Sequence, residues 1–287
     1  MPKRNWLLSL LALTGFWTLT TPVMGQSLLP YTPQFNLEQL EQWGLELAED
    51  AVQLVHFKQY ELALSRAKLA TQLAPTQHQP WFVLGTLYIQ KQEVDQAIEV
   101  LQKASSIAPE EAGIRFTLGN AYFQQGNYQA AVTELKQGLV FKPHVITALF
   151  DLGNSYLKLR KTTKAIKIYE RAIVQEKSFW PAINNIGLIK YEQGDAKTAI
   201  ENWRSASIID PAQAEPRLAL AVVLYAQGKV EEGLRLGESA LELDSRYGEL
   251  QFLKDNLWGT KLLEDAKIFL AVPKIKSLLK NLDKTSL

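Results

Sequence analysis

Ala63, Ala97, Ala131, Ala165 and Ala199, followed by Gly233, stand at one constant interval of 34 residues with no insertion between them. A strict period of that length commits a chain to a stacked array, because each repeat is one supersecondary element that buries its apolar face only against its neighbours. Three further series run in phase with the first. Gly85, Gly119, Gly153 and Gly187 form one, extended by Ala51 before and Ala221 after. Ala70, Ala104, Gly138, Ala172, Ala206 and Ala240 form another, and Pro75, Pro109, Pro143 and Pro211 a last one, broken where Lys177 takes the proline place.

The stretches between these markers are about 14 residues long, with apolar residues three and four apart, the spacing of one helical face. Each repeat therefore reads as a helical hairpin. Small residues at the eighth and twentieth places let its two helices approach where they cross, and a third small place admits the next repeat. Proline near the end stops the second helix, since it lacks an N–H and clashes with the preceding turn.

The repeat 78–111 carries Trp81, Leu84, Gly85, Tyr88, Ala97, Leu101, Ala104 and Pro109, a set that resembles the tetratricopeptide repeat (TPR) family. The next two read Leu118-Gly119-Asn120-Ala121-Tyr122 and Leu152-Gly153-Asn154-Ser155-Tyr156 at the same places. Six repeats follow without a break, at 44–77, 78–111, 112–145, 146–179, 180–213 and 214–247. The first departs from the pattern at Leu47 and Asp50 and the sixth at Gly233, Gly237 and Ser245, as terminal repeats with one neighbour commonly do. The resemblance implies an all-α fold, a right-handed superhelical solenoid of about six hairpins. Residues 248–258 read as its capping helix, with Leu250, Phe252, Leu253 and Leu257 available to cover the exposed end.

The resemblance also implies a concave face lined by the first helix of each repeat, chiefly at its second, fifth, ninth, twelfth and thirteenth places. The fifth gives Phe82, Phe116 and Phe150, continued by Asn184 and Leu218; the ninth gives Thr86, Asn120, Asn154, Leu188 and Val222. The twelfth gives Ile89, Phe123, Leu157, Tyr191 and Tyr225. This reads as an apolar, aromatic groove for a protein partner, an extended peptide or a helix that buries side chains on phenylalanine while asparagine bonds its main chain. A second reading has the phenylalanines packing between neighbouring first helices. TPR domains that clamp chaperone carboxylates use Lys or Arg at such places, and the phenylalanines here speak against that ligand.

Chemistry finds little support. With 31 basic against 30 acidic residues, the chain lacks the charge excess that nucleic-acid binding needs. No cysteine is present, which removes disulfides, thiolate metal sites and a cysteine nucleophile. His56, His78 and His144 fall on three different repeats without metal-ligand spacing, so no metal is expected. Acidic residues such as Glu38, Glu41, Glu46 and Glu49 read as a solvated helix face, and the glycines are explained by helix crossing, so neither an enzyme nor a cofactor is expected.

Lys3 and Arg4 precede an apolar run over 6–19, and no charge recurs until Glu38. Residues 1–25 therefore read as an export signal, with Val23 and Gly25 offering a cleavage point, or as a retained membrane anchor. In either case the positive end stays cytoplasmic and the body is translocated, to a periplasm or to the lumenal side of a thylakoid. Residues 26–35, with Pro30 and Pro33, read as a linker, and order is expected from Asn36.

The tail 248–287 ends in a basic amphipathic segment, Ile275, Leu278, Leu279 and Leu282 among Lys274, Lys276, Lys280 and Lys284. It suits packing back on the array, a membrane surface or a partner. Taken together these features describe a non-catalytic scaffold or assembly factor holding a partner protein at a membrane. The layout resembles thylakoid factors of cyanobacteria and chloroplasts that support photosystem assembly or hold the light-dependent protochlorophyllide reductase. The alternative is a soluble periplasmic or secreted binding protein serving envelope assembly.

Overall fold

The computed structural model describes residues 36–285; the leader expected over 1–25 and the linker over 26–35 lie outside them. Every regular element among the described residues is helical. The helix α1 (Leu37–His56) pairs with α2 (Tyr60–Leu73), α3 (His78–Gln90) with α4 (Val94–Ile107), and α5 (Ala112–Gln125) with α6 (Tyr128–Phe141). The series continues with α7 (Ile146–Lys158) and α8 (Thr162–Gln175), α9 (Trp180–Glu192) and α10 (Ala196–Ile209), then α11 (Ala214–Ala226) and α12 (Val230–Leu243). From α2 to α12 each helix packs on the next, Ala51 of α1 shares a core with Ala63, Leu64 and Ala67 of α2, and first helices of adjacent repeats touch at α3 with α5 and α5 with α7. Among the described residues, no helix is long and apolar enough to cross a membrane.

The small-residue series sit where the helices meet. Ala63, Ala97, Ala131, Ala165 and Ala199 are all fully buried, as are Ala70, Ala104, Ala172, Ala206 and Ala240. At the eighth place the missing Cβ makes room for the twenty-fourth residue of the same repeat: Leu101 against Gly85, Leu135 against Gly119, Tyr169 against Gly153 and Trp203 against Gly187. A methyl group on Gly119 would lie 2.7 Å from Leu135 Cγ, so growth on either side costs packing.

The turns repeat as closely. The fifteenth place is left-handed in every repeat, at Lys58, Gln92, Gly126, Arg160, Gly194 and Gly228. The next residue donates its N–H back to the eleventh, as from Asn127 to the Tyr122 carbonyl at 2.9 Å and from Asp195 to that of Lys190 at 2.9 Å, closing the first helix in a Schellman-type cap. A fourth-place side chain ties successive repeats together. Trp81 Nε1 donates to the Pro75 carbonyl at 3.1 Å, Arg115 Nε to that of Pro109 at 2.7 Å, and Arg217 to that of Pro211. The missing proline at Lys177 does no harm, because α8 ends at Gln175 regardless, with Glu176 N bonded to the Ala172 carbonyl at 3.0 Å.

The end of the chain contains the expected helix within 248–258 and two more beyond it. After the 3-10 turn Ser245–Gly248 come three helices, the short α13 (Leu250–Asp255), α14 (Thr260–Leu270) and α15 (Pro273–Thr285). The turn and α15 cover α12, with Ile275 fully buried and Lys274 paired to Glu238 at 2.6 Å. The apolar side of α15 thus meets the array. The helix α14 lies instead across α11 and α9, on the first-helix side of the array.

Candidate binding groove

In repeats two to four the expected groove places are within reach of solvent. Phe82, Phe116 and Phe150, Thr86, Asn120 and Asn154, and Ile89, Phe123 and Leu157 are all partly exposed. A cavity of about 270 Å³ opens here, lined by Thr86, Ile89, Phe116, Thr117, Asn120 and Asp151. The phenylalanines are not wholly given over to the surface, since the rings also pack inward. The Phe116 ring fills the notch over Gly138, and Phe150 lies 5.8 Å from the Tyr169 ring and 5.5 Å, edge on, from Phe179. The outer sides remain part of the groove wall.

The two central asparagines have different employment. Asn120 Oδ1 accepts from Gln124 Nε2 at 2.7 Å on its own helix, an exposed bond that a guest can replace. Asn154 Oδ1 is turned inward, accepting from Tyr169 Oη at 2.6 Å and Asn185 Nδ2 at 3.0 Å. Asn185 Oδ1 in turn accepts from Asn184 Nδ2 at 3.2 Å. The Asn154 carbonyl thus starts a buried polar chain, which leaves only its amide hydrogens for a guest.

In repeats five and six the same places are covered. Asn184 is 1% exposed, Leu188 2%, Tyr191 5%, and Leu218 and Val222 are fully buried. The cover is the chain's own tail. Tyr191 Oη donates to Asp265 Oδ2 at 2.6 Å with Lys261 Nζ 4.4 Å from the ring centre; burial and then Asp265 hold its phenol well above the ordinary tyrosine range. Tyr225 meets Phe269 edge on at 5.4 Å. Tyr191 and, in part, Tyr225 are therefore engaged by α14, whereas Asn184 is buried with its amide on Asn185.

Three groove carboxylates complete the picture. Glu192 accepts from the backbone N–H groups of Lys261 at 3.2 Å and Leu262 at 3.0 Å, supplying from α9 the cap that Gly259 lacks. Buried Glu215 accepts from Trp258 Nε1 at 3.1 Å. Burial pushes it up to about 7, opposed by the Trp258 indole and the Asn184 amide, so near neutrality it is poised between its neutral and charged forms. Asp151, in the open part, is pushed up to about 6 by burial alone. Glu215 and Glu192 stand at the second and thirteenth places, inside the family's lining set, where reading the columns finds them. Asp151 stands at the sixth, and its signal is to be the one charge in that column after the terminal first repeat, where Glu49 is followed by Val83, Thr117, Asp151, Asn185 and Ala219.

Comparison with known proteins agrees with this architecture. A family model described as TPR repeat matches residues 85–126, 119–160 and 187–228, and a second, described as Tetratricopeptide repeat, matches 147–176. No curated protein matches the chain significantly. Among solved structures, PilF of Pseudomonas aeruginosa is similar at 14% identity and TM-score 0.62, covering 76% of this chain and 97% of its own. YrrB, described as a TPR protein with an unusual peptide-binding site, is similar at 18% identity and TM-score 0.55, covering 67% and 95%. MamA from Desulfovibrio magneticus RS-1 is similar at 17% and 0.56, covering 59% and 96%. At these identities the likeness is one of fold. The matched segments, 85–176 and 187–228 taken together, fall on helical hairpins in constant 34-residue register, and these hairpins are tetratricopeptide repeats by both sequence and fold.

Proposed function

We propose that the protein is a non-catalytic scaffold that holds a segment of a partner protein in the part of the groove formed by repeats two to four, and that residues 1–25 deliver it to a membrane. The supporting observation is the contrast along one surface: equivalent places are sealed by α14 in repeats five and six and accessible in repeats two to four. A surface that already takes a helix at one end is chemically suited to take another segment at the other. The peptide-binding site for which YrrB is described supports this reading.

Groove binding is tested by affinity purification from native membranes, comparing wild type with Phe116→Ala, Asn120→Ala. Proteins retained by the wild type and lost by the variant, at unchanged helical content, are the expected result; an identical set from both would remove the groove. In its finer form the reading has the body translocated to a periplasm or thylakoid lumen, working in the assembly of membrane complexes such as those of photosynthesis. Protease treatment of intact vesicles tests this, and digestion from the cytoplasmic side would overturn it. Mass spectrometry of the mature N-terminus separates an anchored factor from the soluble periplasmic alternative.

A further inference from the structure

We infer that the open part of the groove recognises a lysine or arginine, set among apolar residues of a partner segment, by pairing it with Asp151. This rests on the groove reading above and adds the chemistry of the guest. In the closed part, each groove carboxylate is met by a donor from the resident tail: Glu192 by two backbone N–H groups and Glu215 by the Trp258 indole. Tyr191 likewise has Lys261 over its ring. The tail from Trp258 through α14 thus shows what the acids of this surface ask of a guest, hydrogen-bond donors placed over them among apolar side chains.

Asp151 lies in the same channel, two repeats before Glu215, and no side-chain donor or cation contacts its carboxylate among the described residues. It lines the cavity of about 270 Å³ with Thr86 and Thr117, whose hydroxyl hydrogens are already used. Thr86 Oγ donates to the Val83 carbonyl at 2.7 Å, and Thr117 Oγ to that of Gly113 at 2.9 Å. Both hydroxyls therefore turn lone pairs to the cavity, as Asp151 does. Only Asn120 keeps amide hydrogens there. Such a lining calls for a ligand with several N–H donors and a positive charge, which a guanidinium or ammonium supplies, while Ile89 and Phe116 pack its methylenes. A carboxylate drawn from water and left unpaired is costly, and a cation removes that cost on binding.

The test is selection from a random peptide display library on the full chain in detergent, run on wild type, Asp151→Asn and the exposed-site control Glu99→Gln. Wild-type winners are expected to carry Lys or Arg at one fixed register between apolar residues. As synthetic peptides they should lose at least tenfold in affinity when that residue becomes Gln, and as much on Asp151→Asn but not on Glu99→Gln. Asn is isosteric, so retained helicity and melting temperature exclude misfolding. Winners without a cation that still depend on Phe116 and Asn120 would overturn the assignment and leave the groove standing. No winners, or winners indifferent to Phe116→Ala, Asn120→Ala, would remove the groove itself. Equal losses with both acid variants, or winners that follow residues 273–285 with a dimeric chain in sedimentation, would also overturn the foreign cationic partner, the latter in favour of a second copy.

Discussion

The two ends of the groove share one backbone and differ in what their ninth places can tolerate. Where the surface is accessible these are Thr86, Asn120 and Asn154; where α14 lies over it they are Leu188 and Val222, both essentially without exposure. A polar side chain covered without a partner costs on the order of 1 to 3 kcal/mol, and repeats five and six avoid that cost with hydrocarbon. The comparison shows that a repeat array is not a uniform surface. Its side chains record, repeat by repeat, which segments have a permanent occupant.

Removing that occupant is the strongest way to break the contrast. Phe269 is fully buried, over Gly237 and against Tyr225, so Phe269→Ala should destabilise the tail by about 3 to 5 kcal/mol. Hydrogen exchange should show α14 losing protection while α3, α5 and α7 keep theirs. Equal loss along all the first helices would mean that the two ends unfold as one.

Acidity sharpens the contrast at a second site. Burial pushes the Glu215 carboxyl up to about 7 in the folded chain, from an ordinary value of 4.5 in the unfolded one. Its neutral form is the one the fold favours, so its contribution is complete below 4.5, falls as pH rises to about 7, and is flat above. The span is about 3 kcal/mol at most. Glu215→Gln should flatten this slope in melts between pH 5 and 8 and raise the melting temperature at pH 8. An unchanged slope would assign the pH dependence to other groups.

Glu192→Ala should cost about 1 to 2 kcal/mol by leaving the N–H groups of Lys261 and Leu262 uncapped, read as faster exchange at the start of α14 alone. The smallest effect lies in the turns. Both closed repeats and open repeat three place glycine at the left-handed fifteenth position, Gly194, Gly228 and Gly126, whereas Lys58, Gln92 and Arg160 hold it with side chains. Gln92→Gly should stabilise repeat two by about 0.5 to 1 kcal/mol, visible in a denaturant midpoint, while Gly228→Ala should move it the other way.

Much of this was legible in the sequence, and the reason is local. The 34-residue series register close approaches between helices adjacent in the chain, so each repeat states its own constraint. Packing of the tail on the array was among the readings of the sequence, but the place where it docks was not legible, because the pattern of Leu262, Ala266 and Phe269 does not say which surface it meets. The groove columns were readable as positions but not as states: Tyr191 and Tyr225 continue the ladder of Ile89, Phe123 and Leu157 without any sign that α14 meets them. Gly237 carried a clue. Repeats two to five place Leu101, Leu135, Tyr169 and Trp203 at that place, and a terminal repeat with glycine there has a hole that something distant in the chain must fill.

That hole fixes the reach of the molecule. The sixth hairpin borrows an aromatic ring from Phe269, and the face on which a seventh would stack is taken by the Ser245–Gly248 turn and α15. Duplicating a hairpin after Tyr247 would evict both, whereas duplicating one among repeats two to four would lengthen the accessible channel by a full step. Growth of this array is therefore open at its middle and shut at its end.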